Sequence, residues 1–151
     1  MAAGRRHTCA IGDDFLVYCW GDNRNLQLGT TAIDRTGTPQ LITDGNGFLH
    51  LAVGEAHSCA IDDSLRLWCW GSNGNAELGD GSSQDRAAPV RSQFAGTLIA
   101  AGEGYTCAYA SGSGGLRCWG RNDTGQVSGQ VSGTLPGGAL PGGAAAEKRV
   151  G

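Results

Sequence analysis

Residues 52–60 read AVGEAHSCA and residues 69–79 read CWGSNGNAELG, and each stretch recurs on both sides of itself. Upstream by fifty residues stand AAGRRHTCA (2–10) and CWGDNRNLQLG (19–29). Downstream stand AAGEGYTCA (100–108) and CWGRNDTGQVS (118–128), with Ser128 replacing Gly29 and Gly79. Pro39 and Pro89 keep the same interval of fifty. A period of this length marks a chain built from stacked supersecondary units. All six cysteines fall inside the repeat, as Cys9 with Cys19, Cys59 with Cys69 and Cys107 with Cys118.

Within each copy the residues alternate as strands do. His7 to Ile11 and Phe15 to Trp20 flank Gly12, Asp13 and Asp14, residue types that tolerate positive φ or bond their own backbone in turns. Asp62, Asp63 and Ser64 hold that place in the second copy, and Ser111, Gly112, Ser113 and Gly114 in the third. Each unit is therefore expected to contain a hairpin. If Cys9 faces Cys19, the period of two puts Ile11 opposite Val17. The same register sets Cys59 opposite Cys69 with Ile61 opposite Leu67, and Cys107 opposite Cys118 with Tyr109 opposite Leu116.

Directly opposed residues have Cβ atoms about 4.5–5.5 Å apart or somewhat less, near the reach of a disulfide. Closing a loop of about eleven residues restricts the unfolded chain by about 3 kcal/mol in the entropic account. The competing reading is a thiol site for metal or redox chemistry. The sequence lacks Cys-x-x-Cys spacing, and His7 and His57 give way to Tyr105 in the third copy, which favours structural bridges. Trp20, Trp70 and Trp119 each follow the second cysteine and so project from the opposite face. That face is expected to pack on the neighbouring unit rather than to form a stacking platform for sugars or bases. Trp68 stands where Tyr18 and Arg117 stand in the other copies and is expected at the surface.

Composition agrees with many short strands and tight turns: 27 glycines and only 17% charged residues in 151. A net charge of −3 with no basic run leaves no electrostatic footprint for nucleic acid. Apolar stretches fall far short of the roughly 20 residues a membrane helix needs. From Ser128 onward the chain turns to Gly, Ala and Pro, including LPGGALPGG, and residues 129–151 are expected to form a flexible tail.

The pattern A-A-G-x-x-H-T-C-A followed by C-W-G-x-N resembles the repeat of the regulator of chromosome condensation family, in the cysteine-bearing form of secreted bacterial proteins. The resemblance covers residues 1 to about 128. It implies an all-β fold, a β-propeller with blades of about fifty residues, here roughly three in an incomplete ring, each with a disulfide-stapled hairpin. Repeats are expected at about 1–48, 49–97 and 98–128. The resemblance fixes no single function, since the family includes a nucleotide exchange factor on chromatin, a plant photoreceptor and a bacterial inhibitor of β-lactamase. Met1 stands where Leu51 and Ile99 stand, inside a strand, with no signal peptide ahead of it. The chain is accordingly expected to be a fragment of a longer secreted or surface protein; the alternatives are an open arc that associates with copies of itself and a degenerate protein of poor stability.

Other local signals have structural explanations. Asp44, Gly45, Asn46 and Gly47 suggest a calcium loop, but Ile42 and Val53 occupy its first and twelfth positions, so a turn is expected. Asn122-Asp-Thr124 fits a glycosylation acceptor, yet Asn122 repeats Asn23 and Asn73. No hydrolase elbow, zinc-protease helix or phosphate loop occurs, so no catalytic residue, cofactor site or metal site is assigned.

Between the repeated Gly and the His or Tyr, the copies differ: Arg5-Arg6, Glu55-Ala56, Glu103-Gly104. Binding residues commonly sit on loops of rigid scaffolds. Arg5, Arg6, Glu55 and Glu103 are the expected contacts for a protein partner, against the plainer reading of solvated turns. The function expected is a non-enzymatic interaction scaffold, extracellular or at the cell surface. The alternatives are the non-catalytic propeller part of a larger secreted enzyme, a thiol oxidoreductase, or an exchange-type regulator by family analogy.

Overall fold

The computed structural model describes residues 1–42, 47–112 and 114–128. The turn expected at Asp44 to Asn46, Ser113 of the third turn, and the tail 129–151 lie outside the described residues.

Among the described residues, eleven strands form three antiparallel meanders. The first blade holds β1 (Ala2–Ala3), β2 (His7–Ile11), β3 (Val17–Asp22) and β4 (Arg35–Leu41). The second holds β5 (Phe48–Val53), β6 (His57–Asp62), β7 (Arg66–Gly71) and β8 (Arg86–Ala95). In the third, β9 (Leu98–Ala101), β10 (Tyr105–Ala110) and β11 (Gly115–Gly120) are described. Pro39 and Pro89 sit on β4 and β8, edge strands where a missing N–H breaks no central ladder.

The hairpin registers follow the alternation. Cys9 pairs with Cys19 and Ile11 with Val17, Cys59 with Cys69 and Ile61 with Leu67, Cys107 with Cys118 and Tyr109 with Leu116. All three cysteine pairs are disulfides, with Cα atoms 4.1, 4.1 and 4.0 Å apart, the close approach of the narrow type of antiparallel pair. The first hairpin departs from expectation at one end. Phe15 lies in the turn, with φ of 63°, and Leu65 repeats this at 62°, so β3 begins at Val17.

Adjacent blades lock through one hydrogen-bond motif. The Gln27 carbonyl accepts from both Ser58 Oγ (3.1 Å) and Trp70 Nε1 (3.0 Å) of the next blade. Fifty residues on, the Glu77 carbonyl accepts from Thr106 Oγ1 (2.8 Å) and Trp119 Nε1 (2.9 Å). In return His7 Nε2 meets Ser58 Oγ at 2.7 Å and His57 Nε2 meets Thr106 Oγ1 at 2.9 Å. Trp70 is fully buried among Cys9, Cys19, Val17 and Leu28 of the preceding blade; Trp119 packs likewise and stacks on Phe94 with ring centroids 4.2 Å apart. Trp20 is half-buried, and among the described residues no such carbonyl meets it.

The inner loops approach each other closely. Glu55 N donates to Gly102 O at 3.2 Å, and a Cβ added to Gly54 would lie 2.6 Å from that same carbonyl, so only glycine fits. The Asn of each CWG-x-N motif pins the following loop: Asn23 Oδ1 accepts Leu28 N, Asn73 Oδ1 accepts Leu78 N and Asn122 Oδ1 accepts Val127 N. This gives Asn122 the structural role that its repeat position implies. Trp68, expected at the surface, is half-buried because its Nε1 donates to the buried Asp62 carboxylate at 2.9 Å and Arg66 lies over its ring.

Candidate functional site

Two loop types converge on one face. One carries the dipeptides Arg5-Arg6, Glu55-Ala56 and Glu103-Gly104, each between an inner strand and the next strand of its blade. The other follows the CWG turns and carries Asp22 and Arg24, then Ser72, then Arg121 and Asp123. Glycine makes both positions. Gly21, Gly71 and Gly120 have φ of 117°, 101° and 110°, and a Cβ at Gly71 would lie 2.7 Å from Ala56 O. The CWG turn is thereby pressed against the dipeptide loop of its own blade, and the Ser72 amide donates to that same Ala56 carbonyl at 2.9 Å.

Between these loops lies a cleft of about 370 Å³ that spans all three blades, bordered by Arg6, Arg24, Glu55, Glu103 and Arg121, with Gln27, His57 and Glu77 among its deeper residues. Arg5, with Glu55 and Glu103, lines a second opening of about 450 Å³ beside the inner strands. All four candidate contact residues thus sit on one loop face.

They are joined by ion pairs. Arg5 bonds Glu55 across the first joint at 2.8 Å, Arg121 bonds Glu103 at 2.9 Å, and Arg6 lies 3.7 Å from Asp22. Asp22 is held chiefly by Arg24, whose guanidinium and backbone N–H keep the carboxyl well below the usual carboxylate range. The face grades from arginines 5, 6 and 24 on the first blade to Glu103 and Asp123 beside Arg121 on the third.

Glu77 is buried, and burial pushes its carboxyl upward; its Oε2 accepts the Asn75 amide at 2.7 Å. Gln27 and Gln126 occupy its place in the other copies and accept the Asn25 and Thr124 amides. The repeated residues of the sequence do not include Asp22, Arg24 and Arg121. Their positions vary between copies just as the dipeptides do, and that variation is the signal that finds them.

The histidine and hydroxyl pairs have the spacing of a base and its nucleophile but lack access. Ser58 and Thr106 are fully buried, and each hydroxyl already donates to a carbonyl. Among the described residues no group of three metal-ligating side chains converges, no cysteine is free, and no helix is long and apolar enough to cross a membrane.

The sequence matches the family described as the regulator of chromosome condensation (RCC1) repeat over residues 16–61 and 66–109, and a second model of the same description over 1–27 and 48–77. No curated protein sequence matches the chain. Among similar solved structures, human WBSCR16 has a TM-score of 0.73 at 20% identity, covering 89% of this chain and 36% of that one. Yeast RCC1 (Prp20), solved bound to Kap60, has a TM-score of 0.71 at 24% identity, covering 93% and 32%. The CRINKLY WD40 ectodomain of the Arabidopsis thaliana receptor kinase ACR4 has a TM-score of 0.53 at 22% identity, covering 80% and 36%. The chain spans about a third of the length of these structures, and the likeness is one of fold.

Proposed function

Since the chain belongs to the regulator of chromosome condensation repeat family, we propose that it is a non-enzymatic scaffold of the disulfide-bearing, secreted bacterial type, which docks a protein partner on its loop face. The observation that carries this reading is the gathering of Arg5, Arg6, Glu55 and Glu103 on one loop face, where Arg6, Glu55 and Glu103 border the cleft and Arg5 lines the neighbouring opening. Hot spots gather where rigid elements present anchoring side chains, and arginine is favoured among them. The grade from basic to acidic along the face would fix a partner's orientation and steer its approach. Three stapled hairpins support an oxidising setting, extracellular or at the cell surface.

The test is a fourfold variant, Arg5→Ala with Arg6→Ala, Glu55→Ala and Glu103→Ala, compared with the wild type by cross-linking and mass spectrometry against secreted proteins of the source organism. Exposed ion pairs contribute at most about 1 kcal/mol each, so the variant stays folded. Cross-links from the loop face that vanish in the variant, with affinity that weakens as salt rises, support the reading. A partner held with equal affinity by both proteins overturns it.

A further inference from the structure

Each joint between blades contains an imidazole with no place for a second proton. Ser58 Oγ donates its proton to Gln27 O (3.1 Å), so at 2.7 Å it accepts from His7 Nε2, which fixes the proton of neutral His7 on Nε2. Thr106 Oγ1 donates to Glu77 O (2.8 Å) and by the same logic accepts from His57 Nε2 at 2.9 Å. Nδ1 of both rings is buried and, among the described residues, without a partner. Protonation would place a charge and an unpaired N–H donor inside each joint. The third copy has Tyr105 at this position, and the remaining histidine, His50, is exposed.

The charged groups nearby do not relieve this. Asp22 draws His7 toward the charged form, but Asp22 is already bound by Arg24 at 2.8 Å and neighboured by Arg6 at 3.7 Å. His57 feels His7, which opposes its protonation. Glu77 lines the same cleft with its Oε2 committed to the Asn75 amide, while Glu55, Glu103 and Arg121 stand at the rim in pairs with each other or with Arg5.

We propose that His7 and His57 form a pH-sensitive device that opens the joints between blades on acidification, while the disulfide-stapled hairpin inside each blade stays intact. The proposal concerns the joints alone and stands whether or not the loop face binds a partner. Burial lowers both imidazoles from 6.5 to about 4. An open joint therefore binds protons more tightly than a closed one. Closure is fully favoured above pH 6.5 and is lost progressively as pH falls toward about 4. Within that window the open population rises about tenfold per pH unit for each histidine. The carboxyl of Asp80, held at about 2, titrates below the window and is separable from it.

The experiment uses the full chain with its disulfides intact and follows hydrogen-exchange protection factors, normalised for intrinsic rates, from pH 7.5 to 4.5. The reporters are the indole N–H groups of Trp70 and Trp119, which close the joints, and the backbone amides of the hairpins. The expected result is a loss of indole protection of about tenfold or more per pH unit below 6.5, with hairpin amides still protected. In the variant carrying both His7→Gln and His57→Gln, indole protection should not fall across the same window, since Glu77, whose carboxyl burial raises, takes up its proton more readily in the closed joint. Wild-type protection that is independent of pH, or a parallel loss in the variant, overturns the proposal. Should the variant not fold, imidazole NMR of the wild type decides, with His50 as the internal reference. Protonation of His7 and His57 with joint protection unchanged refutes the device, and protonation that coincides with its loss supports it.

Discussion

Replacing Trp20 and Trp70 by alanine compares one repeat position in two environments. Trp70 has no exposed surface, packs on the Cys9–Cys19 side of the first blade and donates its indole proton to Gln27 O at 3.0 Å. Its truncation empties a joint that two rigid, disulfide-stapled sheets are poorly able to collapse around, so the cost should reach about 3–5 kcal/mol. Against a typical domain stability of about 5–15 kcal/mol, that removes a large share of the total. Trp70→Phe keeps most of the apolar area and loses the indole donor. Gln27 O retains Ser58 Oγ, so no buried acceptor is orphaned, and the cost should fall to about 1–2 kcal/mol. Trp20 is half-buried and lacks the carbonyl among the described residues, so Trp20→Ala should cost only about 1–2 kcal/mol. Urea unfolding at pH 7.5 under non-reducing conditions, followed by circular dichroism, measures all three. Equal losses for Trp20→Ala and Trp70→Ala would refute the assignment of the indole to packing between blades.

Cys59→Ala with Cys69→Ala should lower stability by about 3 kcal/mol through the freed loop. Because both sulfurs are fully buried, native protein should resist reductant until urea is added, as a mass shift after alkylation would show. Gly71→Ala forces a side chain to φ of 101° and against Ala56 O, costing about 1–3 kcal/mol from backbone strain alone. Gly74→Ala, with open space around it, should stay within about 0.5 kcal/mol; thermal melts of the two variants separate them. For Asp62, burial pushes the carboxyl upward, but hydrogen bonds from Trp68, Arg66 and Ser64 outweigh it and leave the group below its ordinary value. Its stabilisation is therefore present above pH 3.8 and lost as pH falls below that, so Asp62→Asn should cost about 2–3 kcal/mol at pH 7 and progressively less in acid.

The hairpins were legible because the repeat supplies three aligned copies of one alternation, and opposed cysteines leave a single register that suits them all. Phe15 and Leu65 misled because nothing in a bulky apolar residue announces positive φ; the third copy, with Gly114 and Gly115 there, carried the better hint. Asp62 looked like an ordinary turn residue. Its burial depends on Trp68 and Arg66 closing over it, a tertiary circumstance with no local signature. The candidate contacts could be picked out only as residues that fail to repeat. Their meeting on one loop face, and the part taken by Asp22, Arg24 and Arg121, depends on how the CWG turns fold back against the dipeptide loops, which linear spacing does not encode.

The joints recognise main chain. Trp70 and Ser58 read the carbonyl of Gln27, and Trp119 and Thr106 read that of Glu77, so the acceptor is the same whether the residue bearing it is an amide or an acid. A coupling written in peptide groups is blind to most point mutations on its acceptor side. What a substitution at position 27 or 77 can change is therefore the cleft chemistry, as the exchange of an amide for an acid there shows, while the indole and hydroxyl bonds to the carbonyl persist.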